Sequence, residues 1–190
     1  MNSPLLRARL ESPIGPITLL ASARGLAACD FGDHTPGAAA RAPSEIVDGT
    51  NEHLAAARAW LEAYFAGHLD LPGLRPPRPS AGPQPPRPAF DLLGSEFCLA
   101  VWRALCEIPP GRTESYGGLA ARLGRPGAAR AVGKANHDNP IGILIPCHRV
   151  VGADGRLTGY AGGLPVKEWL LAHERRHARP AVGEQLAFPA

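Results

Sequence analysis

Lysine is scarce in this chain. Lys134 and Lys167 are the only two of its 20 basic residues, so contact with a polyanion would have to run mainly through arginine. Long apolar runs are absent too, and no segment is expected to cross a bilayer. Residues 1–10 lack the apolar core of a secretory leader. Without such a leader, the four cysteines Cys29, Cys98, Cys106 and Cys147 are expected to be free thiols in a reducing cytoplasm, on the nucleoid if the source is bacterial. No close Cys-x-x-Cys or His-x-His spacing occurs, so a metal site built on Cys29 and His34 with His53 or His68 is rejected. Acidic residues are missing between Ser115 and His137.

The 190 residues carry a net charge of +3, enough chain for one or two small domains and a mildly basic balance compatible with a polyanionic partner. Residues 5–11, 17–21 and 25–31 read as three strands of an antiparallel meander, with Ser12-Pro13-Ile14-Gly15-Pro16 as the first turn. Residues 33–51 read as loop with at most a short helix. Leu54, Ala57, Leu61, Tyr64 and Phe65 recur at helical spacing, between a Thr50 or Asn51 cap and Gly67. Eight prolines between 71 and 89 exclude helix and central strand and mark a linker. Domains are therefore expected at 1–70 and 90–177, with a mobile tail at 178–190.

The second half opens on a helix starting at Ser95, apolar on nearly every side and ended by Pro109-Pro110-Gly111. Residues 115–124 and 126–135 read as two short helices around a glycine turn, Pro126 taking the first helical position. Their surface offers Arg122, Arg125, Arg130, Lys134 and His137. The small residues Ala128, Ala129, Ala131, Gly133 and Ala135 would let the second helix approach a duplex closely, or pack tightly on another helix. Next comes a strand-like run, Ile143-Leu144-Ile145, that ends at Pro146 and delivers Cys147, His148 and Arg149. A lone cysteine in such a run is ordinarily a small buried hydrophobe. A thiol with a histidine beside it is also a nucleophile with a base at hand.

Pro146-Cys147-His148-Arg149-Val150, with its flanks from about 91 to 174, resembles the signature of the DNA alkyltransferases that repair O(6)-alkylguanine. The resemblance implies an α/β (α+β) protein: a ribonuclease-H-like antiparallel sheet with a helix, then a mostly helical helix-turn-helix half carrying the cysteine. It implies a relay of Cys147, a water molecule, His148 and Glu174, with Tyr116 and Lys167 assisting. Arg130 would enter the base stack from the minor groove, and Tyr116 would turn a phosphate during base flipping. Arg122, Arg125, Ala128, Ala129, Gly133, Lys134 and Asn136 complete the expected DNA face. Val150, Tyr160, Ala161 and the hinge residue Asn139 complete the expected pocket. Ala161 stands where many relatives carry serine, and the proline-rich segment is longer than usual in the family. The implied partner is double-stranded DNA bearing alkylated guanine, with alkylated thymine a second candidate, met by a monomer that needs neither metal nor organic cofactor.

Two other readings compete. A lesion sensor of the alkyltransferase-like kind would keep the DNA-binding frame without the cysteine, and Cys147 argues against it. A hydrolase using Cys147, His148 and Glu174 would turn over esters or amides without DNA, and the basic helix around Arg130 argues against that. A fused phosphotriester-repair domain is not expected, for want of a four-cysteine zinc module.

Overall fold

The computed structural model describes residues 4–32, 45–69, 85–86 and 88–178. Three strands form the expected meander: β1 (Leu5–Leu10), β2 (Ile17–Ala21) and β3 (Leu26–Phe31). β2 is buried along its whole length and lies between the other two, antiparallel to both. A fourth strand, β4 (Ile46–Asp48), lies parallel on the outer edge of β1, giving the order β3-β2-β1-β4. It corrects the reading of 33–51 as loop with at most a short helix. Three residues are too few for alternation to register in the sequence, and the pairing comes from β1.

Helix α1 (Glu52–Phe65) covers one face of the sheet. Asn51 caps it, accepting from Leu54 N at 2.9 Å, and Gly67 follows its end with φ +88°, the left-handed conformation that glycine adopts without strain. Leu54, Ala57, Leu61 and Tyr64 face inward as the helical spacing requires. In the second half α2 (Glu96–Leu105) starts at the Ser95 cap. Its buried side is Val101, Trp102, Ala104 and Leu105, while Glu96 and Arg103 are exposed and Cys98 and Leu99 only partly covered. It is amphipathic rather than buried all round.

α3 (Tyr116–Arg122) and α4 (Ala129–His137) pack on each other as the helix-turn-helix pair. Pro126 does not begin α4. It sits in a turn in which Ala128 N reaches Arg125 O at 3.0 Å and Gly127 takes φ +91°, so the helix starts three residues later. A two-residue parallel pairing of β5 (Glu114–Ser115) with β6 (Val150–Val151) hangs α3 beside the cysteine segment. α5 (Leu164–His177) closes the fold, with Pro165 in its first turn.

The two halves share one core. Ile17, Leu19, Leu61 and Tyr64 belong to the same buried cluster as Trp102, Leu105, Ile145 and Leu170. The backbone joins them as well. Phe90 pairs with Leu26 at the start of β3, through Leu26 N to Ala89 O (2.7 Å) and Asp91 N to Leu26 O (2.8 Å). Ile141 pairs with Cys29 further along, through Cys29 N to Pro140 O and Gly142 N to Cys29 O, both 2.9 Å. The edge of the N-terminal sheet is thus completed by two pieces of the C-terminal half. Residues 70–84 and 179–190, with most of the expected linker and tail, lie outside the described residues, as does His34.

Candidate active site and nucleic-acid interface

The run 143–145 is fully buried but is not a strand. Leu144 N bonds to Gly142 O and Ile145 N to Ile141 O, curling the backbone, and Ile143 takes φ +67°. A β-branched residue in the left-handed region is strained, and it persists only where the surroundings over-determine it. Asn139 holds the curl: its Nδ2 donates to Ile145 O at 2.8 Å and to Ile141 O at 3.4 Å, and its Oδ1 accepts from Ile141 N at 3.1 Å. Cys147, His148 and Arg149 follow as one turn of 3-10 helix, Cys147 being 7% exposed.

Burial pushes the Cys147 thiol up from its ordinary range. The Asn139 side chain, the Lys167 charge and the backbone N–H groups of Cys147 and His148 pull the other way, toward thiolate. Lys167 is fully buried and donates to Val150 O at 2.6 Å and Thr158 O at 3.1 Å, bracing the two limbs of the 150–158 loop against each other.

His148 Nε2 lies 2.8 Å from Glu174 Oε1, both side chains fully buried. An ionised carboxylate only accepts, so the proton of this bond sits on Nε2 and Nδ1 keeps its lone pair. Burial lowers the His148 imidazole more than Glu174 raises it, which keeps the ring neutral and basic at Nδ1. That atom is buried and meets no hydrogen-bonding group among the described residues. Burial alone would raise the Glu174 carboxyl, but His148 and Arg149 outweigh it and hold the group far below the usual carboxylate range. Arg149 grips it with Nε (3.0 and 3.1 Å) and Nη2 (2.7 Å), and its Nη1 donates to Ile108 O at 2.6 Å. Gly111 N and the Tyr64 hydroxyl, each at 3.0 Å, complete the carboxylate's partners. The grip of Arg149 on Glu174, and the part of Tyr64 and Gly111, had no signal in the sequence.

Above Cys147 lies a cleft lined by Tyr116, Gly133, Asn136, Asn139, Tyr160 and Ala161, as well as by Cys29, Asp30 and Phe31 of β3, which sequence reasoning did not place there. Phe31 packs against Tyr160 with ring centres 5.4 Å apart. Tyr116 OH accepts from Thr158 Oγ1 at 3.0 Å, which leaves its own proton available to another acceptor. Val150 is buried outside the lining and contributes its carbonyl to Lys167. Among the described residues no group of three or more His, Cys, Asp or Glu side chains is placed to hold a metal ion.

The outer surface of the helix pair carries Arg130 and Lys134, both exposed, Lys134 in an exposed pair with Asp138 at 2.9 Å. Arg125 lies over the Phe97 ring at 5.6 Å. Ala128 and Ala129 are half-buried at the start of α4, and Gly133 faces the Tyr116 ring. Two expected members of the DNA face are placed differently. Arg122 is tied to Glu107, to Glu114 at 2.9 Å and to Ala104 O at 2.8 Å, so it braces α3 on α2. Asn136 lies below the surface and donates to the Cys147 carbonyl at 3.4 Å.

A buried thiol backed by an oriented imidazole, set beside a helix-turn-helix, defines a nucleophilic thiol protein with a nucleic-acid-binding frame. The model of the 6-O-methylguanine DNA methyltransferase DNA binding domain matches residues 96–176, and that of the ribonuclease-like domain of the same methyltransferases matches residues 5–71. The methylated-DNA–protein-cysteine methyltransferase of Methanosarcina barkeri is 44% identical over 174 residues, 90% of this chain and 97% of that one. Its counterpart from Mycolicibacterium paratuberculosis is 54% identical over 118 residues, 62% of this chain and 63% of that one. The crystal structure of Mycobacterium tuberculosis OGT in complex with DNA superposes with a TM-score of 0.73 at 40% identity, covering 91% of this chain and 94% of that one. The chain belongs to the 6-O-methylguanine DNA methyltransferase family.

Proposed function

We propose that this protein repairs DNA by moving the alkyl group of O(6)-alkylguanine onto Cys147, once per molecule. The observation that carries the reading is the placing of Cys147 at the base of a cleft, with a neutral, Glu174-oriented His148 behind it and the helix-turn-helix at its rim.

The alkylated atom lies inside the duplex, so the base must be turned out into the cleft. Arg130 and Lys134 meet the backbone, Arg130 fills the space the base leaves, and Tyr116 works at the flipped nucleotide's phosphate. The cleft, of about 40 Å³, has the loop at 159–161 as one wall.

His148 Nδ1 takes the thiol proton, through one water, because side chains adjacent in sequence do not meet directly. Glu174 stabilises the imidazolium that forms, and Lys167 the thiolate. The Cys147 Sγ–carbon bond forms as the carbon–O(6) bond breaks. The leaving guanine gains a proton, with Tyr116 as donor, and that proton is replaced from the imidazolium. The balance is a thiol plus an alkylguanine going to a thioether plus guanine. A thioether does not leave under mild conditions, so each molecule acts once. Such work places the protein with DNA in the cytoplasm.

Intact-protein and peptide mass spectrometry after incubation with a duplex carrying one O(6)-methylguanine tests the reading. One methyl per chain, on the Cys147 peptide, is expected. Binding without mass gain would favour a sensor; neither binding nor transfer would favour a hydrolase.

A further inference from the structure

Residues 156–160 adopt neither helix nor strand. Thr158, half-buried in the middle of this stretch, is held at two of its atoms. Its Oγ1 donates to the Tyr116 hydroxyl of α3 at 3.0 Å, and its carbonyl accepts from Lys167 Nζ of α5 at 3.1 Å. Lys167 spends a second proton on Val150 O at 2.6 Å, and Val150 is the residue that ends the turn carrying Cys147. The lysine side chain is fully buried. An ammonium has three protons and no lone pair, and burial without acceptors favours the neutral amine. The Thr158 carbonyl is thus one of two carbonyls among the described residues that hold Lys167 as a cation.

We propose that Thr158 is a positioning residue for the thiol: its hydroxyl, hung on Tyr116, holds its own carbonyl against Lys167 and so keeps that cation at the foot of the Cys147 turn. The assignment rests on Cys147 as the nucleophile of the function above, and it acts with or without DNA. Lys167 is the side-chain charge that draws the Cys147 thiol toward thiolate. The other titratable groups around that thiol are Cys29 of β3, Tyr160 and His148. Burial pushes Cys29 and Tyr160 up and His148 down, so all three are neutral near pH 7. Asp30 lines the same cleft with a charge that opposes a thiolate, and behind His148 the Glu174 carboxylate is matched by Arg149. The thiolate therefore leans on Lys167, and Lys167 leans on Thr158. Tyr116 gains a second part, as the post on which this clasp hangs.

The test uses the full chain without DNA and iodoacetamide as the probe. Its rate of attachment to Cys147 is followed across a pH series by peptide mass spectrometry, which separates this thiol from Cys29, Cys98 and Cys106. Thr158→Val keeps the shape and removes the hydroxyl. It should slow the reaction by roughly three- to tenfold below the thiol's midpoint, as that midpoint moves up by about half to one pH unit. The two rates should converge as pH rises through the midpoint, and Thr158→Ser, which restores the hydroxyl, should return the wild-type profile. Thr158→Ala serves in place of the valine variant if that one does not fold, as judged by thermal unfolding. An unchanged profile overturns the assignment. So does a loss by the same factor at every pH, which marks altered access rather than a displaced charge, and so does a serine variant that fails to restore the profile. Methyl transfer from a duplex carrying O(6)-methylguanine, measured alongside, keeps the two readings apart. A wild type with the expected thiol profile that takes no methyl loses the function and keeps the clasp.

Discussion

The Tyr64 hydroxyl donates to Glu174 Oε1 at 3.0 Å, across 110 residues of chain. Tyr64 is nearly fully buried in α1, where it stacks on Trp60 at 5.5 Å. The carboxylate it meets is the one that orients His148. The N-terminal half thus reaches the site directly, and does more than flank the DNA-binding half.

Tyr64→Phe keeps the ring and removes only this bond. Stability should fall by about 1 kcal/mol, the typical net worth of a hydrogen bond. Transfer should slow several-fold while duplex affinity stays unchanged. Urea denaturation and single-turnover kinetics check the two parts, and wild-type kinetics in the variant would confine Tyr64 to packing.

Glu174→Gln leaves the buried Arg149 without its counter-charge and should cost about 3–5 kcal/mol. It should also alter the pH profile of stability. With its folded pKa depressed, Glu174 contributes stability that is full above the unfolded value near 4.5 and lost as pH falls below it, because there the unfolded chain binds the proton and the folded one does not. His148, also depressed, adds a limb that begins as pH falls below about 6.5. Denaturation midpoints from pH 8 to 3 should show both limbs in the wild type and lose the lower one in the variant; an unchanged lower limb would refute the assignment.

Cys147→Ala should abolish alkyl transfer and leave duplex binding within a few-fold of wild type. Arg130→Ala should slow repair of duplex DNA far more than reaction with the free alkylated base, and lower the salt dependence of binding by about one phosphate contact. Gel-shift titrations over a salt series, beside kinetics on both substrates, separate these effects. Equal losses on duplex and free base would rule out a role for Arg130 in base extrusion.

Gly25 tests the seam between the halves. A Cβ there would lie 2.7 Å from Ala89 O and 2.9 Å from Asp91 N, both backbone atoms. Gly25→Ala should therefore destabilise by about 1–3 kcal/mol, as overpacking does, by prising Phe90 off Leu26. Thermal unfolding measures it, and an unchanged midpoint would show that the seam yields freely.

Much of this architecture was readable in the sequence where local rules act alone. β2 follows from its β-branched and apolar run, α1 from its spacing and Asn51, and the helix pair from its small residues and glycine turns. Reading failed where the deciding partner is remote. Residues 143–145 have a strand's composition, but Asn139 bends them into a curl that places Cys147 on a turn. Arg122 looked like a surface cation because nothing in its own helix reveals that Glu107 and Glu114 lie within reach. Asn136 was expected on the DNA face, and only the return of the chain at Cys147 shows that it faces inward. Glu174 was found through its family match, and its partners from both halves are tertiary facts that no periodicity encodes.

The docking of Ala89, Phe90 and Asp91 on Leu26 has a polymer-physics consequence for the chain between residues 69 and 89. Both ends of that segment are anchored by contacts of their own: the end of α1 on one side, this seam and the Arg24–Asp91 pair (2.8 Å) on the other. For a flexible loop closed between two fixed ends, the entropy of closure grows only logarithmically, by about 0.6 kcal/mol for each doubling of length. With both ends held in this way, added residues between them cost little by that measure, and the thiol site does not depend on how many there are.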